Sequence, residues 1–202
     1  MSGGYFNMIY CGVGGQGVVL MANIVGEACA RSGLNVVSGE LHGLSQRGGS
    51  VIAHQRIGEN VMSPLVPYGE ANVLLSLEPM EALRHLPFLK EGGMVITNTR
   101  MDHPPIETQM LAKGEIEAYI TYDEVLSRIR SSGARVVEVD AMALAMKAGN
   151  PQTVNVVMVG ALAASPDFPV GKEHMVEAVK ENVPEKALEV NLKAFELGYS
   201  SL

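Results

Sequence analysis

The sequence contains no tryptophan and only two cysteines, Cys11 and Cys29, among its 202 residues. With only two cysteines a disulfide framework is not expected, and the pair lacks the spacing of a zinc or iron–sulfur site. Both lie in apolar segments, where a thiol behaves as a small buried apolar side chain. We therefore expect no metal on this chain and a reducing, cytoplasmic location.

Long apolar runs and basic runs are also missing. No segment reaches the roughly 20 consecutive apolar residues that a membrane-spanning helix needs. The N-terminus lacks the basic stretch, apolar stretch and cleavage site of a signal peptide. A net charge of −7 argues against a non-specific surface for nucleic acid or anionic membrane. We expect neither nucleic acid nor a membrane as a partner.

Glycine, in contrast, is frequent, with 22 residues, and it is concentrated in one early turn. The apolar run Tyr5 to Cys11 predicts a strand, and helical periodicity follows from Gly17 to Ser32. Gly12, Gly14 and Gly17 match the pattern Gly-x-Gly-x-x-Gly in the strand–turn–helix context that this pattern requires.

This turn predicts an anion-binding site. The first N–H groups of a helix have no partner within the helix, and a glycine at position 14 lets a ligand approach the backbone. Gly15 and Gln16 add conformational freedom and a polar side chain. The alternative, that the glycines only pack a helix closely against a sheet, stays open.

A second glycine-rich stretch, Gly39 to Ser50, reads GELHGLSQRGGS and has no periodicity. It follows a predicted second strand, at the edge of an open α/β sheet where ligands bind. Its candidate binding residues are His42, Ser45, Gln46, Arg47, Gly48 and Gly49. A guanidinium beside backbone N–H groups suits a carboxylate or phosphate. An ordinary flexible loop is the alternative.

Strands and helices alternate along the rest of the chain, which predicts a parallel sheet with helices on both faces. The predicted strands span residues 5–11, 35–38, 51–57, 71–77, 94–98 and 135–139, and Gly92 and Gly93 are expected to turn the chain into the fifth of them. Helices are predicted over 122–131, 141–148 and roughly 153–164, and the last is apolar almost all round and therefore expected to be largely buried. Residues 61–67 contain two prolines and are predicted to be irregular or to form an edge of the sheet. We expect a single domain, 1–202, with a three-layer α/β/α Rossmann-like fold and a mostly parallel, mixed sheet. The position of an antiparallel strand stays open.

The glycine turn also allows a nicotinamide interpretation, because Glu40 follows the second strand where an acidic residue would hold a ribose. The sequence offers no Tyr–Lys pair for hydride transfer in a suitable setting, no nucleophile elbow and no P-loop lysine. A stand-alone NAD(P)-binding dehydrogenase or regulator is therefore the alternative function.

The two glycine-rich segments together are more specific than either alone. GVGGQGV at Gly12–Val18 and LHGLSQRGGSV at Leu41–Val51 resemble the gamma subunits, or gamma domains, of the 2-oxoacid:ferredoxin oxidoreductases. The resemblance is closer to the beta subunit of indolepyruvate:ferredoxin oxidoreductase. It extends over nearly the whole chain, including the strand 71–77 and the Glu78–Pro79 pair that follows it.

The resemblance implies an enzyme that oxidatively decarboxylates a 2-oxoacid to an acyl-coenzyme A and passes electrons to ferredoxin. In such enzymes thiamine diphosphate and iron–sulfur clusters carry out the chemistry. The sequence has no cysteine cluster and no Gly-Asp-Gly start of a thiamine diphosphate motif. The resemblance therefore implies a non-redox subunit, inactive alone, whose large alpha subunit carries both cofactors.

Three functions remain after the sequence alone: a subunit of this oxidoreductase type, a nicotinamide-binding protein, and a purely structural adaptor. In the first, the two glycine loops would form one corner that binds the phosphates of coenzyme A or docks on the thiamine-binding subunit. No catalytic residue is expected on this chain. The 2-oxoacid substrate and the oligomeric state cannot be derived from the sequence.

Overall fold

A six-stranded mixed sheet forms the centre of the structure, a computed structural model that describes residues 4–42, 49–102, 110–114 and 118–202. The strands are β1 (Phe6–Val13), β2 (Val36–His42), β3 (Ser50–Ile57), β4 (Ala71–Ser76), β5 (Leu89–Asn98) and β6 (Arg135–Val139). Their order across the sheet is β2-β3-β1-β4-β5-β6.

One strand, β3, is antiparallel to both of its neighbours, β2 and β1. The pairs β1–β4, β4–β5 and β5–β6 are parallel. The mixed, mostly parallel sheet is therefore confirmed, and the antiparallel strand lies between the first two strands of the chain. Because β3 is antiparallel to both β2 and β1, these two strands run in the same direction and end at the same edge of the sheet.

Helices cover the two faces of the sheet unequally. The first face packs against α1 (Val18–Arg31), α4 (Ala141–Ala148), α5 (Val154–Ala164), α6 (Lys172–Asn182) and α7 (Leu188–Tyr199). The second face packs against α2 (Pro79–His85) and α3 (Tyr122–Ser131). This arrangement gives the three layers that the alternating pattern predicted.

The apolar helix α5 lies in the main core, as its almost uninterrupted apolar sequence predicted. It crosses α7 at two glycines whose backbones touch the opposite helix. A Cβ on Gly160 would lie 2.2 Å from the carbonyl oxygen of Phe195, and one on Gly198 would lie 2.0 Å from that of Val157. Only glycine fits at either position, which fixes the spacing of the two helices.

A buried amide ties α1 to the sheet. Gln55 of β3 accepts a hydrogen bond from the Tyr10 hydroxyl, and its Nε2 donates to the carbonyl of Ala22 and to the hydroxyl of Ser38. Gln55 and Tyr10 are fully buried. A satisfied buried network of this kind sets a unique position for the helix, and α1 begins at the glycine turn.

Two predicted boundaries were wrong by more than two residues. The turn predicted at Gly92 and Gly93 lies inside β5, which begins at Leu89. The strand stays paired with β4 on both sides of an irregularity: Leu89 pairs with Ala71, and Met94 pairs with Val73. Strand β2 was predicted to end at Ser38 but continues to His42, because its backbone pairs with β3 over its whole length. In both cases backbone pairing outweighs the local glycine signal.

Segment 61–67 is irregular, as predicted, since it forms neither helix nor strand. Across the described part of the chain, every helix is too short or too polar to cross a lipid bilayer.

Candidate functional site

A pocket of about 450 Å³ lies at the carboxyl edge of the parallel strands. Its lining residues follow β1, β4, β5 and β6 or begin α5: Gly15, Gln16, Gly17, Leu77, Asn98, Arg100, Asp102, Met142, Pro151, Gln152, Val154 and Asn155. The chain leaves β1 toward one face and β4 toward the other, so a crevice opens between these strand ends. Open α/β sheets bind ligands at such a switch point.

The predicted glycine turn forms one wall of this pocket. Gly15 and Gly17 have φ values of 98° and 88°, a left-handed conformation that other residues adopt only with strain. The N–H of Gly14 donates to the carbonyl of Gly49 at 2.9 Å. The two glycine-rich segments that the sequence analysis singled out therefore meet through their backbones.

Gly17 is required for a second reason. A Cβ at this position would lie 2.3 Å from Nδ2 of Asn155, at the start of α5. The close neighbour of Gly17 is thus another helix, and not the strand that the motif suggested. At Gly12 a Cβ would meet Oε1 of Gln16 at 2.7 Å, so this glycine makes room for the turn itself.

Gln16 holds the turn in shape. Its Oε1 accepts a hydrogen bond from the N–H of Val13 at 2.8 Å, and its Nε2 donates to Oδ2 of Asp102 at 3.0 Å. The other carboxylate oxygen of Asp102 accepts from Nε of Arg100 at 3.1 Å. This chain of contacts links the turn after β1 to the segment after β5 across the mouth of the pocket.

Two helix N-termini point into the pocket. Helix α1 begins after its cap Gly17, and α5 begins after Thr153; neither cap residue makes a side-chain cap hydrogen bond. In α5 the N–H of Val156 is already taken, since it donates to Oδ1 of Asn155 at 2.9 Å. The partial positive charges of two helix dipoles therefore meet at one place. The lining also contains four side-chain amides and the apolar Met142. Its arginine, Arg100, forms an ion pair with its aspartate, Asp102. This arrangement suits an anionic group attached to a partly apolar molecule.

The predicted binding residues are only partly placed by the structure. Gly15, Gln16 and Gly17 line the pocket; Gly12, Gly14 and Gly49 shape or brace the turn. The backbone of His42 ends β2 at the same edge of the sheet. Four predicted residues lie outside the described ones: Ser45, Gln46, Arg47 and Gly48.

Several pocket residues were missed by the sequence analysis, among them Asn98 and Asn155. Asn98 ends the buried strand β5, and its amide donates to the carbonyl of Leu77 and accepts from the N–H of Ala141 at 3.2 Å each. Asn155 is the polar residue of the apolar helix α5. A polar residue at the end of a buried strand or inside an apolar helix was the signal that could have identified both.

A buried carboxyl group lies next to the pocket. Glu78 follows β4 and caps α2: its Oε2 accepts from the N–H of Glu81 at 3.0 Å, whereas its Oε1 has no partner among the described residues. Burial raises the pKa of Glu78 to about 7, and the hydrogen bond from the backbone N–H of Glu81 only partly offsets this effect. A carboxyl group with this pKa changes its charge near neutral pH.

Glu81, one turn further along α2, behaves differently. Burial works to raise its pKa, but hydrogen bonds from His85, Ser50 and Arg84 outweigh burial and hold the pKa below its ordinary value. Glu81 is therefore a carboxylate with three hydrogen-bond partners. Glu78, in contrast, has a buried oxygen, Oε1, with no hydrogen-bond partner among the described residues. Two neighbouring acids thus carry different charge states at the same pH.

The strand order does not support the nicotinamide interpretation. That interpretation needs β2 beside β1, so that an acid at the end of β2 reaches the ribose. Here β3 separates them, which places Glu40 two strand spacings, about 10 Å, from β1. Glu40 is also absent from the lining of the pocket.

A metal centre is not evident in the part of the chain that the structure describes, where no three His, Cys, Asp or Glu side chains are grouped to hold an ion. Cys11 and Cys29 are both buried and unpaired as thiols. A four-cysteine iron–sulfur cluster would need two more cysteines than the chain contains.

The chain belongs to the pyruvate ferredoxin/flavodoxin oxidoreductase family, whose model matches residues 7–201. It is 46% identical over 194 residues to the indolepyruvate oxidoreductase subunit IorB of Thermococcus kodakarensis, a match that covers 96% of this chain and 94% of the relative. The family and the kind of subunit that the two glycine segments suggested are thereby confirmed.

Solved structures agree with this fold. The gamma subunit of a keto/oxoacid ferredoxin oxidoreductase from Geobacter sulfurreducens matches with a TM-score of 0.70 and 23% identity over 97% of both chains. A 2-oxoglutarate:ferredoxin oxidoreductase from Magnetococcus marinus, with 2-oxoglutarate, coenzyme A and succinyl-CoA bound, matches with a TM-score of 0.72 and 18% identity. That match covers 98% of this chain but 31% of the longer one.

The chain is thus a subunit of an oxidoreductase of the 2-oxoacid:ferredoxin type, a class of multi-subunit enzymes. In the longer Magnetococcus protein, the region that matches this chain is one part of a single polypeptide.

Proposed function

We propose that this chain is the small, non-redox subunit of a cytoplasmic enzyme that oxidatively decarboxylates an aryl 2-oxoacid, such as indolepyruvate, to an acyl-coenzyme A. The 46% identity to an indolepyruvate oxidoreductase subunit over nearly the whole chain carries this proposal. The electrons pass to ferredoxin through the assembled complex.

The partner in this proposal is a large subunit that holds thiamine diphosphate and the iron–sulfur clusters. The chain itself supports this division, because two buried cysteines cannot ligate a four-cysteine cluster. The sequence also lacks Gly-Asp-Gly, the start of a thiamine diphosphate motif. Thiamine diphosphate would supply the decarboxylation chemistry and the clusters the electron path.

The pocket at the carboxyl edge is proposed to bind the phosphates of coenzyme A. Two helix N-termini converge there, and Gly15 and Gly17 keep side chains away from the approach to the backbone. The Magnetococcus relative, about a third of which matches this chain, binds coenzyme A, which supports coenzyme A as the ligand class to test here. Asn155, at the start of α5, would orient the ligand through its amide.

The test is a kinetic assay on the complex reconstituted from this chain and its large subunit. Activity is followed as indolepyruvate-dependent reduction of ferredoxin at varied coenzyme A. Replacing Arg100 by alanine removes the cationic side chain from the described lining of the pocket. The KM for coenzyme A should therefore rise about 5- to 30-fold, as expected for the loss of one charged contact worth about 1–2 kcal/mol. The KM for indolepyruvate should stay unchanged.

The matched control is Arg128→Ala, which removes an exposed arginine from α3, away from the pocket. It should leave both KM values unchanged. Equal KM values for coenzyme A in the wild type and in Arg100→Ala would contradict the proposed role of the pocket. Tight binding of NADH to the isolated chain in a calorimetric titration would instead favour the nicotinamide interpretation.

A further inference from the structure

A second cavity, a groove of about 470 Å³, adjoins the candidate pocket. It lies where the first turn of α1, the residues before α5 and the segment between α6 and α7 come together. Gln152 and Asn155 line both the pocket and the groove, so the two cavities meet at the start of α5. The groove has the size of a small-molecule site, which is about 300–1,000 Å³. A ligand held in the pocket can therefore extend into the groove.

One side of the groove is apolar. It is formed by Leu20 of α1, Val183 after α6 and Val190 of α7, which are half-buried because they pack against the main core. At the junction with the pocket, the side-chain amide of Gln152 makes no hydrogen bond among the described residues and can donate or accept. Apolar side chains with a free amide beside them suit a flat heterocyclic ring with polar edges.

The groove also contains an uncompensated positive charge. Lys186 is the one charged residue in its described lining, which includes no acid. The side chain is exposed and forms neither a hydrogen bond nor an ion pair with any described residue. The chain as a whole carries a net charge of −7, so a cation without an acid beside it is a local property of this groove. The groove therefore favours an anionic group.

Pocket and groove together provide two separate places for negative charge, with apolar surface at the second. Coenzyme A has the same distribution: a pyrophosphate on the 5′ side of its adenosine, a phosphate on the ribose 3′ oxygen, and an uncharged pantetheine arm. The thiol at the end of that arm has to reach the acyl group on the large subunit. The nucleotide end is thus the part of coenzyme A that matches the charges of this chain.

We propose that the groove is the subsite for the adenosine 3′-phosphate of coenzyme A and that Lys186 determines specificity for the 3′-phosphate. The adenine lies against Leu20, Val183 and Val190, and the pyrophosphate lies in the pocket beside the glycine turn. The inference rests on the proposed function, since that function supplies coenzyme A as the ligand.

The test is calorimetric titration of the assembled complex with coenzyme A and with dephospho-coenzyme A, which lacks only the 3′-phosphate. The wild type should bind coenzyme A more tightly. In Lys186→Ala the Kd for coenzyme A should rise about 5- to 30-fold, as expected for the loss of one charged contact, while the Kd for dephospho-coenzyme A stays unchanged. Lys186→Arg keeps the charge and should keep the preference. Because Lys186 is exposed, the melting temperature should stay close to that of the wild type.

The matched control is Lys193→Ala, since Lys193 is an exposed lysine of α7 that lines neither cavity. It should bind both ligands like the wild type. An unchanged Kd for coenzyme A in Lys186→Ala, an equal rise for both ligands, or a wild type without preference would each overturn the inference. Arg100→Ala separates this failure from that of the proposed function. If it weakens coenzyme A binding and Lys186→Ala does not, the pocket stands without the subsite; if neither variant weakens binding, both proposals fall.

Discussion

Replacing Glu78 by glutamine should stabilise the protein, by an amount that grows as the pH rises. Glu78 is 1% exposed, and burial raises its pKa from an ordinary value of 4.5 to about 7. The folded chain therefore binds this proton more tightly than the unfolded chain, so the wild type loses stability as the pH rises between these two values. Glutamine resembles the protonated acid and keeps an oxygen to accept from the N–H of Glu81.

The size of the effect follows from the two pKa values. At about 1.4 kcal/mol per pKa unit, a wild-type chain above pH 7 bears a cost of about 3 kcal/mol that the glutamine variant avoids. At pH 5 most of the native Glu78 is still protonated, and the difference falls to about 1 kcal/mol. With a typical urea m-value, the difference at pH 8 corresponds to a midpoint shift of at least about 1 M.

The assay is urea unfolding of the wild type and of Glu78→Gln at pH 5, 6, 7 and 8. The exposed Glu189, on the surface of α7, provides the control Glu189→Gln, which should change the free energy of unfolding by less than about 0.5 kcal/mol at every pH. A gain for Glu78→Gln that stays constant from pH 5 to pH 8, or that shrinks as the pH rises, would refute the assignment of the raised pKa to this carboxyl group.

Three further predictions concern packing and burial. Gly160→Ala should lower the free energy of unfolding by at least about 2 kcal/mol, because its Cβ would lie 2.2 Å from the carbonyl oxygen of Phe195; an unchanged urea midpoint would contradict this close crossing. Gly17→Ala should lower the free energy of unfolding by about 1–2 kcal/mol through its left-handed backbone, and further through the clash of the new Cβ with Asn155. The double variant Gly17→Ala, Asn155→Ala should regain the loss that comes from the clash, as measured by the urea midpoint. Both thiols are buried, and burial raises the pKa of Cys29 to about 12, so a thiol reagent at pH 8 should react only after urea unfolds the chain.

The layers and most of the elements could be predicted from the sequence because the local signals agree with the global fold. The helix over 122–131 has a capping box at its start, in which Thr121 and Glu124 exchange hydrogen bonds, and Gly133 follows its end. Strand β6 and helix α4 likewise fall on the predicted residues. Where predictions failed, as at Gly92 inside β5, pairing with a distant strand decided the outcome.

The sequence predicted one wall of the candidate pocket, the glycine turn, but not the wall that faces it, and the reason is topological. The glycine turn was visible because its residues are adjacent in the sequence, and the structure places Gly15 to Gly17 in the pocket wall. The facing wall comes from Asn98, Arg100, Asp102 and Asn155, which a single sequence gives no reason to group. They meet the turn because parallel strands end at one edge and α5 begins beside them.

The position of β3 decides what the glycine motif means in this protein. The spacing of Gly12, Gly14 and Gly17 fits a dinucleotide site when the second strand lies next to the first. Here an antiparallel strand separates them, which moves Glu40 out of reach and brings Gly49, at the start of β3, against the turn. Gly49, the described residue just before β3, thus lies against the glycine turn, whereas the end of β2 lies two strand spacings, about 10 Å, from β1. For this reason the second glycine-rich segment discriminates between functions, and the glycine turn alone does not.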